Sequence, residues 1–285
     1  MLLLHISDIH FKAPQCVSED DPNQPYRTRM IQDARARTDT LGKIDAILLG
    51  GDIAYRADPI EYVAASRWIS ELAQACGCSL ERVFVVPGNH DVDRGIIAQK
   101  RGIQYAQRAI TSASDADRAG ELKSQLENSS VGHAHFEPLA AYNDFAKSFN
   151  CQVYPAKLFW KQDLNLRDDV VLRIHGLTST VLSGAVVNGK QDEKRGELYL
   201  SPWQAVLNPA DDVVNVVISH HPPDWFMDHD DVEDKTRARA ALHFFGHKHR
   251  QRCVRDMHYA RFDAGAVNPD PNELAWHPAY NILNQ

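Results

Sequence analysis

Apolar positions along the chain fall into two kinds of pattern. Short, nearly continuous apolar runs occupy residues 2–7, 44–49, 83–86, 170–175, 213–218 and 242–245. Runs of that length without polar alternation are expected of strands buried on both faces of a sheet. Between the first three lie segments of helical period. One covers residues 28–41; the other, residues 60–75, sets Tyr62, Ala65, Ile69 and Leu72 on a single stripe. Strand–helix–strand alternation predicts right-handed crossovers and a parallel arrangement, hence an α/β fold. Residues 92–150 break the pattern. They are rich in Ala, Arg, Gln and Glu and poor in strand signals, which predicts two or three helices with breaks or caps at residues 112–115 and 128–130. Strand patterns return at residues 153–160. Ser201 followed by Pro202 predicts a helix start over residues 201–207. Residues 253–262 and 280–283 are expected to supply the last strands of a second sheet. With no internal repeat, low-complexity tract or Gly/Ser linker, residues 1–285 are expected to form one domain, with residues 92–150 as a helical insertion or cap within it.

Composition narrows the class without choosing a function. A chain of 285 residues, 44% hydrophobic and 24% charged, is ordinary for a water-soluble domain. No apolar run approaches the roughly 18 residues of a membrane span. The N-terminus lacks the basic start and small-residue cleavage site of a signal peptide, so a first strand is expected there and a cytoplasmic location with it. Five cysteines, odd in number and irregularly spaced, fit free thiols in a reducing compartment. The net charge of −7 disfavours a protein that coats nucleic acid, though not one that holds a nucleic-acid end at a small site.

The chemistry sits at the ends of the apolar runs. Asp8-Ile9-His10, Gly51-Asp52, Gly88-Asn89-His90-Asp91, His220-His221-Pro222 and Gly246-His247-Lys248-His249 each follow an expected strand. Side chains at the C-terminal ends of neighbouring strands converge on one crevice. Together the motifs offer about eight ligands, more than one ion normally takes, which points to two metal ions side by side and metal-assisted hydrolysis. Asp8 and His10, two apart, can reach the same ion from an extended loop. Gly50-Gly51 lets the backbone turn tightly before Asp52, whose two oxygens can bridge two cations. Imidazole, carboxylate and amide oxygen without thiolate suit manganese, iron or zinc better than calcium or a structural zinc. Either His220 or His221 can be the ligand of its pair.

In content and order, from Asp8 to His249, these motifs resemble the calcineurin-like metallophosphoesterase superfamily. The resemblance implies a sandwich of two mixed β-sheets flanked by helices, with a dinuclear centre at one edge. It implies that Asp8, His10 and His249 bind one metal ion, that Asn89, His220 and His247 bind the other, and that Asp52 bridges them. It also favours His220 over His221. His90 matches the outer histidine that contacts the phosphate and protonates the leaving group. Two divalent ions are implied, manganese first, with iron, zinc or nickel as alternatives, and a bridging hydroxide as attacking group. The stretch from Gly196-Glu197-Leu198 to Trp203-Gln204 resembles that of bacterial class III cyclic-nucleotide phosphodiesterases.

The expected function is thus a phosphodiesterase hydrolysing a nucleotide-type or other small diester, with Asn89, His90, Arg56 and Arg250 as substrate contacts. A DNA or RNA nuclease of the same superfamily is the first alternative, and a phosphomonoesterase or protein phosphatase the second. The partner is a phosphoester substrate, nucleotide or nucleic acid, with no membrane; homo-oligomerisation and fusion to further domains stay open. Acidic residues 19–21 and 228–234 follow metal motifs and are expected to rim the cleft, while Lys248, Arg250, Arg252 and Arg255 form either a solvated edge or a phosphate clamp. His133 and His135 share metal-like spacing, but on a helix they point apart. His5 and His175 lie in apolar runs and are expected in the core, with His175 near enough to a strand end to line the cleft.

Overall fold

The computed structural model describes residues 1–165, 170–186, 189–268 and 278–284 of the chain. The first half alternates as expected: β1 (Leu2–Ile6), α1 (Gln24–Leu41), β2 (Ala46–Leu49), α2 (Pro59–Ala75) and β3 (Val83–Val85). Asp58 starts α2. Its carboxylate accepts from the Ile60 N–H at 2.8 Å, Pro59 takes the first turn, and Glu61 completes a capping box. Five helices follow: α3 (Arg94–Gln99), α4 (Arg101–Ser112), α5 (Asp115–Glu127), α6 (Ser129–Phe136) and α7 (Ala140–Ala146). Ser114 and Asn128, within the expected breaks, are the side-chain N-caps of α5 and α6. The second half supplies β4 (Phe159–Asn165), β5 (Val171–Leu177), β6 (Val213–Ser219), α8 (His229–Arg237), β7 (Leu242–Phe245), β8 (Arg252–Arg255), β9 (Ala260–Asp263) and β10 (Asn281–Asn284).

Two mixed sheets result. The first runs β10-β1-β2-β3, and the second β4-β5-β6-β7-β9-β8. In each, parallel strands form the centre, β1-β2-β3 and β5-β6-β7-β9, while β10, β4 and β8 pair antiparallel at the edges. The sheets meet face to face. The Trp160 indole N–H from β4 donates to the Val85 carbonyl of β3 at 3.0 Å, and His5 of β1 meets Phe244 of β7 edge-on at 4.9 Å. Gly176 makes this approach possible, since a β-carbon there would lie 2.0 Å from the Trp160 ring. On its other side the first sheet shares one apolar cluster with Met30 and Ala34 of α1 and with the stripe Tyr62, Ala65, Ile69 and Leu72 of α2. The helices of residues 92–150 do not form one separate body. Tyr142 of α7 donates to the Val85 carbonyl at 3.1 Å and Phe145 stacks on Tyr62, whereas Ile110 of α4 and Leu122 of α5 join Leu177, Val181 and Leu198.

Several local expectations give way to the structure. The region contains five α-helices, not two or three, because its polar breaks cap new helices. The strand expected over residues 153–160 begins only at Phe159. Pro155 cannot donate to a ladder, and residues 154–157 close instead into a tight bridge between Tyr154 and Lys157. The helix start at Ser201 yields a single 3-10 turn, Pro202–Ala205. The segment near residue 281 joins the first sheet through β1, not the second, because the free edge of β1 accepts an antiparallel partner. His175 is buried with its Nε2 2.9 Å from Asn215 Oδ1, so it belongs to the core and not to the cleft.

His133 is exposed and His135 buried, its Nε2–H donating to Gln125 Oε1 at 2.6 Å, so the two do not share an ion. Burial lowers the His135 pKa from 6.5 to about 4. The unfolded chain therefore takes up this proton more readily than the folded one. The contribution to stability is complete above pH 6.5 and is lost as pH falls towards 4. At pH 5 the loss amounts to about 2 kcal/mol at roughly 1.4 kcal/mol per pH unit. Urea unfolding of wild type and His135→Gln at pH 7 and pH 5 should show the wild type losing about that much more than the variant on acidification.

Candidate metal centre

All five motifs sit where parallel strands end. Asp8 and His10 leave β1, Asp52 leaves β2 and Asn89-His90 leave β3; His220 leaves β6, and His247 and His249 leave β7. The C-terminal edges of the two sheets thus face one another across a single crevice. Backbone hydrogen bonds lace the loops together. Asp8 N–H donates to Gly51 O at 3.1 Å, the N–H groups of Ile9 and His10 both reach Asp52 O at 3.0 Å, and Gly246 N–H reaches His220 O at 3.1 Å.

The backbone at these positions is held in an uncommon state. Asp8 (φ 56°), His10 (φ 49°), Asp52 (φ 52°), His247 (φ 69°) and His249 (φ 50°) all lie in the left-handed region. Such residues are rare outside glycine, each costs about 1–3 kcal/mol, and they concentrate at functional sites. Neighbouring glycines leave room for the turn. A β-carbon at Gly88 would fall 2.1 Å from Asp52 Oδ1, and one at Gly246 would fall 1.9 Å from Ser7 Oγ.

The side chains converge as two overlapping groups. In one, His249 Nε2 lies 3.1 Å and His10 Nε2 4.0 Å from Asp8 Oδ1. In the other, Asn89 Oδ1 lies 3.0 Å from both His220 Nε2 and His247 Nδ1, and these two ring nitrogens are 3.2 Å apart. Asp52 Oδ2 touches both groups, 3.8 Å from His10 Nε2 and 3.4 Å from His220 Nε2. Asp8–His10–His249 and Asp8–Asp52–His220 each bring their ligand atoms close enough to hold an ion. Two imidazole nitrogens in contact with one another and with buried carboxylates are poorly satisfied by each other and well satisfied by a divalent cation.

The protonation pattern fits that purpose. Burial pushes the Asp52 carboxyl up, but His220, His90 and His10 outweigh it and hold it well below the ordinary carboxylate range. Asp8, raised by burial, is likewise brought low by His249. Burial lowers His10 to about 4, and burial together with His221 and His220 holds His247 well below its ordinary value. Both rings therefore present lone pairs at neutral pH. His220 differs: burial works against its charge, but Asp52 and Asp8 hold it up to about 9.

His221 differs from His220 in its partners. Its Nδ1 lies 2.9 Å from Ser179 Oγ and its Nε2 3.3 Å from Glu193 Oε2, although a ring nitrogen of it also comes close enough to His220 and His247 to share an ion. Its ring packs at 4.6 Å against His247. His90 borders the cluster. Its N–H donates to Asp52 Oδ1 at 2.8 Å and its Nδ1–H to the Tyr55 carbonyl at 2.8 Å. Arg56 is exposed and lines a cleft of about 410 Å³ with Tyr55, His90, Val92 and Arg94. Arg250 is exposed beside His249. Lys248 is tied to Asp224 at 2.7 Å and so is not a free clamp. Of the acidic stretches, Asp21 is buried against Arg27 and Asp231 pairs with Lys235 on α8, so these two carboxylates are spent on local ion pairs.

Two braces escaped the sequence reading. Asp91 is buried and accepts from the N–H groups of Gly88 (2.9 Å) and Ala54 (3.0 Å) and from the Tyr62 hydroxyl (2.9 Å), joining the Asp52 loop to the Asn89 loop. Glu61 gathers four N–H groups, from Ala13, Tyr55, Arg56 and Asp58, at 2.9–3.3 Å. Its signal was present, since Asp58-x-x-Glu61 ahead of an apolar stripe is a capping box.

A family model of calcineurin-like phosphoesterase matches residues 1–251. No curated protein matches the chain. Among solved structures, a protein described provisionally as a 5′-nucleotidase from Staphylococcus aureus is 13% identical, with 93% of this chain and 48% of that chain covered and a TM-score of 0.48. The sulfate thiohydrolase SoxB of Thermus thermophilus is 12% identical over 93% of this chain and 52% of that one, with a TM-score of 0.44. YfcE, a phosphoesterase from E. coli, is 14% identical over 100% of this chain and 88% of that one, with a TM-score of 0.34. The chain spans about half the length of the first two.

The strained backbone makes a prediction of unusual sign. At an ordinary position Gly is less stable than Ala. At His249, with φ 50°, His249→Gly should exceed His249→Ala by about 1 kcal/mol in metal-free protein. Urea unfolding in the presence of a chelator measures this; an alanine variant as stable as the glycine variant would remove the strain from the account.

Proposed function

The chain belongs to the calcineurin-like phosphoesterase family, and on that premise we propose that it is a dinuclear metal-dependent phosphodiesterase acting on a nucleotide-type or other small diester. The observation that carries the proposal is the place of Asp52, one carboxylate oxygen of which lies within 3.8 Å of a ligand nitrogen from each group. In this reading Asp8, His10 and His249 would hold one ion, Asn89, His220 and His247 the other, and Asp52 would contribute to both. Carboxylates, imidazoles and an amide oxygen, without thiolate, fit manganese first and also iron, zinc or nickel. Two divalent ions in that setting supply Lewis acidity to the phosphoryl oxygens and an activated water for in-line displacement at phosphorus.

The chain's own groups do the rest. His220 would serve as a ligand in its neutral form; the Asp52 and Asp8 carboxylates that raise its proton affinity are the groups that would also attract a cation. Asn89 and His90 face the phosphoryl group from the end of β3. His90 spends its Nδ1–H on the Tyr55 carbonyl, which leaves Nε2 to carry a proton towards the departing oxygen. Arg56 flanks that side along the cleft, and Arg250 the side of His249. A nuclease reading draws support from the exposure of Arg252 and Arg255 on edge strand β8, next in sequence to the site.

Manganese-loaded protein should hydrolyse bis-p-nitrophenyl phosphate faster than p-nitrophenyl phosphate. It should also act on a cyclic nucleotide and leave labelled single- and double-stranded DNA intact. A faster monoester would replace the diesterase by a phosphomonoesterase, and cleaved DNA would favour the nuclease. His90→Ala should lower kcat on the aryl diester by about 10²–10⁴ while leaving two ions per chain by elemental analysis. Asp52→Asn should lose at least one ion.

A further inference from the structure

The cleft beside His90 has a cationic lip. Residues 11–13 and 53–56 run side by side, bridged through Phe11 and Ala54, with Tyr55 N–H donating to Phe11 O at 3.0 Å. Glu61 clamps both segments from beneath through the N–H groups of Ala13 (2.9 Å), Tyr55 (3.0 Å) and Arg56 (2.9 Å). Lys12 and Arg56 are thereby presented together around one aromatic ring. Lys12 Nζ lies 4.7 Å and the Arg56 guanidinium carbon 5.6 Å from the Tyr55 ring centre. That ring lies 5.2 Å from His90 and 6.1 Å from His10.

Both cations are exposed, and neither has a carboxylate partner among the described residues, in a chain whose net charge is −7. The other charges of the cleft are already engaged. Arg94 is held by Gln191 O at 3.3 Å and Glu193 Oε1 at 3.5 Å, and Asp93 caps α3 through the N–H groups of Gly95 and Ile96. A rigid loop that sets two unpaired cations beside the group holding the leaving-group proton is suited to an anion at a fixed distance from the scissile phosphorus.

We propose that Lys12, Tyr55 and Arg56 form a subsite for a second phosphate carried by the leaving group, so that substrates with two linked phosphates are preferred over simple diesters. This rests on the phosphodiesterase reading above, with His90 on the leaving-group side. Tyr55 holds the two cations by its ring face and holds His90 by its carbonyl, which couples the subsite to the reacting centre.

The test compares a dinucleoside 5′,5′-diphosphate with bis-p-nitrophenyl phosphate on the manganese-loaded full chain. The ratio of their kcat/KM values should fall at least tenfold in a Lys12→Gln/Arg56→Gln double variant and be retained within twofold in Lys12→Arg. The wild-type ratio should also shrink as KCl rises, since exposed charges are screened. A double variant with the wild-type ratio, or a ratio indifferent to salt, overturns the subsite while the diesterase reading survives. A wild-type protein that turns over neither substrate, though it holds two ions, overturns both.

Discussion

Two carboxylates, Asp8 and Asp52, are buried side by side where the two sheets meet, and the structure around them answers the cost of keeping both ionised. Burial alone would raise the proton affinity of each. Imidazoles oppose it from every side, and main-chain N–H groups reinforce them: His247 N–H reaches Asp8 Oδ2 at 3.1 Å and His90 N–H reaches Asp52 Oδ1 at 2.8 Å. Such a concentration of buried charge and converging lone pairs is costly as a stabilising device and well matched to divalent cations. The parallel centre of each sheet follows from the same need. Only parallel strands deliver their C-terminal loops to one edge, and two sheets placed face to face bring two such edges together.

The loops carry a second cost, in backbone conformation. Left-handed geometry at Asp8, His10, Asp52, His247 and His249 points side chains inward that an extended chain would splay. Geometry of this kind persists only where the surroundings over-determine it. Around Asp52, Asp91 and Glu61 contribute to that, each gathering several backbone donors from different loops. Burial, with the nearby charge of Asp52, raises the Asp91 carboxyl to about 6, a sign that this brace is stressed by the same crowding of acids. Binding and bracing are thus parts of one electrostatic arrangement. Glu61 extends it outward to the loop that bears Tyr55 and Arg56, beside His90.

Much of this was legible in the chain. Apolar runs located β1, β2, β3, β5, β6 and β7 to within about two residues, because strands buried on both faces are mostly apolar and accept a polar side chain only where a partner meets it, as Asn215 meets His175. The five polar motifs were legible because each follows directly on a buried strand run. Edge elements were harder. Residues 153–158 had the right apolar content, but Pro155 cannot donate to a ladder; residues 201–207 form only a 3-10 turn, Pro202–Ala205. A charge run does not say which opposite charge it will meet; Asp21, Asp231 and Lys248 each meet one.

The sequence by itself determined the fold class, the order of the buried strands and the donor types at their ends, since those depend on local periodicity and on the chemistry of single side chains. Only the tertiary structure decided which donors face one another. His220 and His221 are equivalent on paper. They differ because the strand end turns one ring towards Asn89 and Asp52 and the other towards Ser179 and Glu193. In the same way, β10 chose the free edge of β1 over the second sheet, and Lys12 came to stand beside Arg56. Each of these outcomes is a pairing between segments distant in sequence, and no periodicity within a segment encodes its partner.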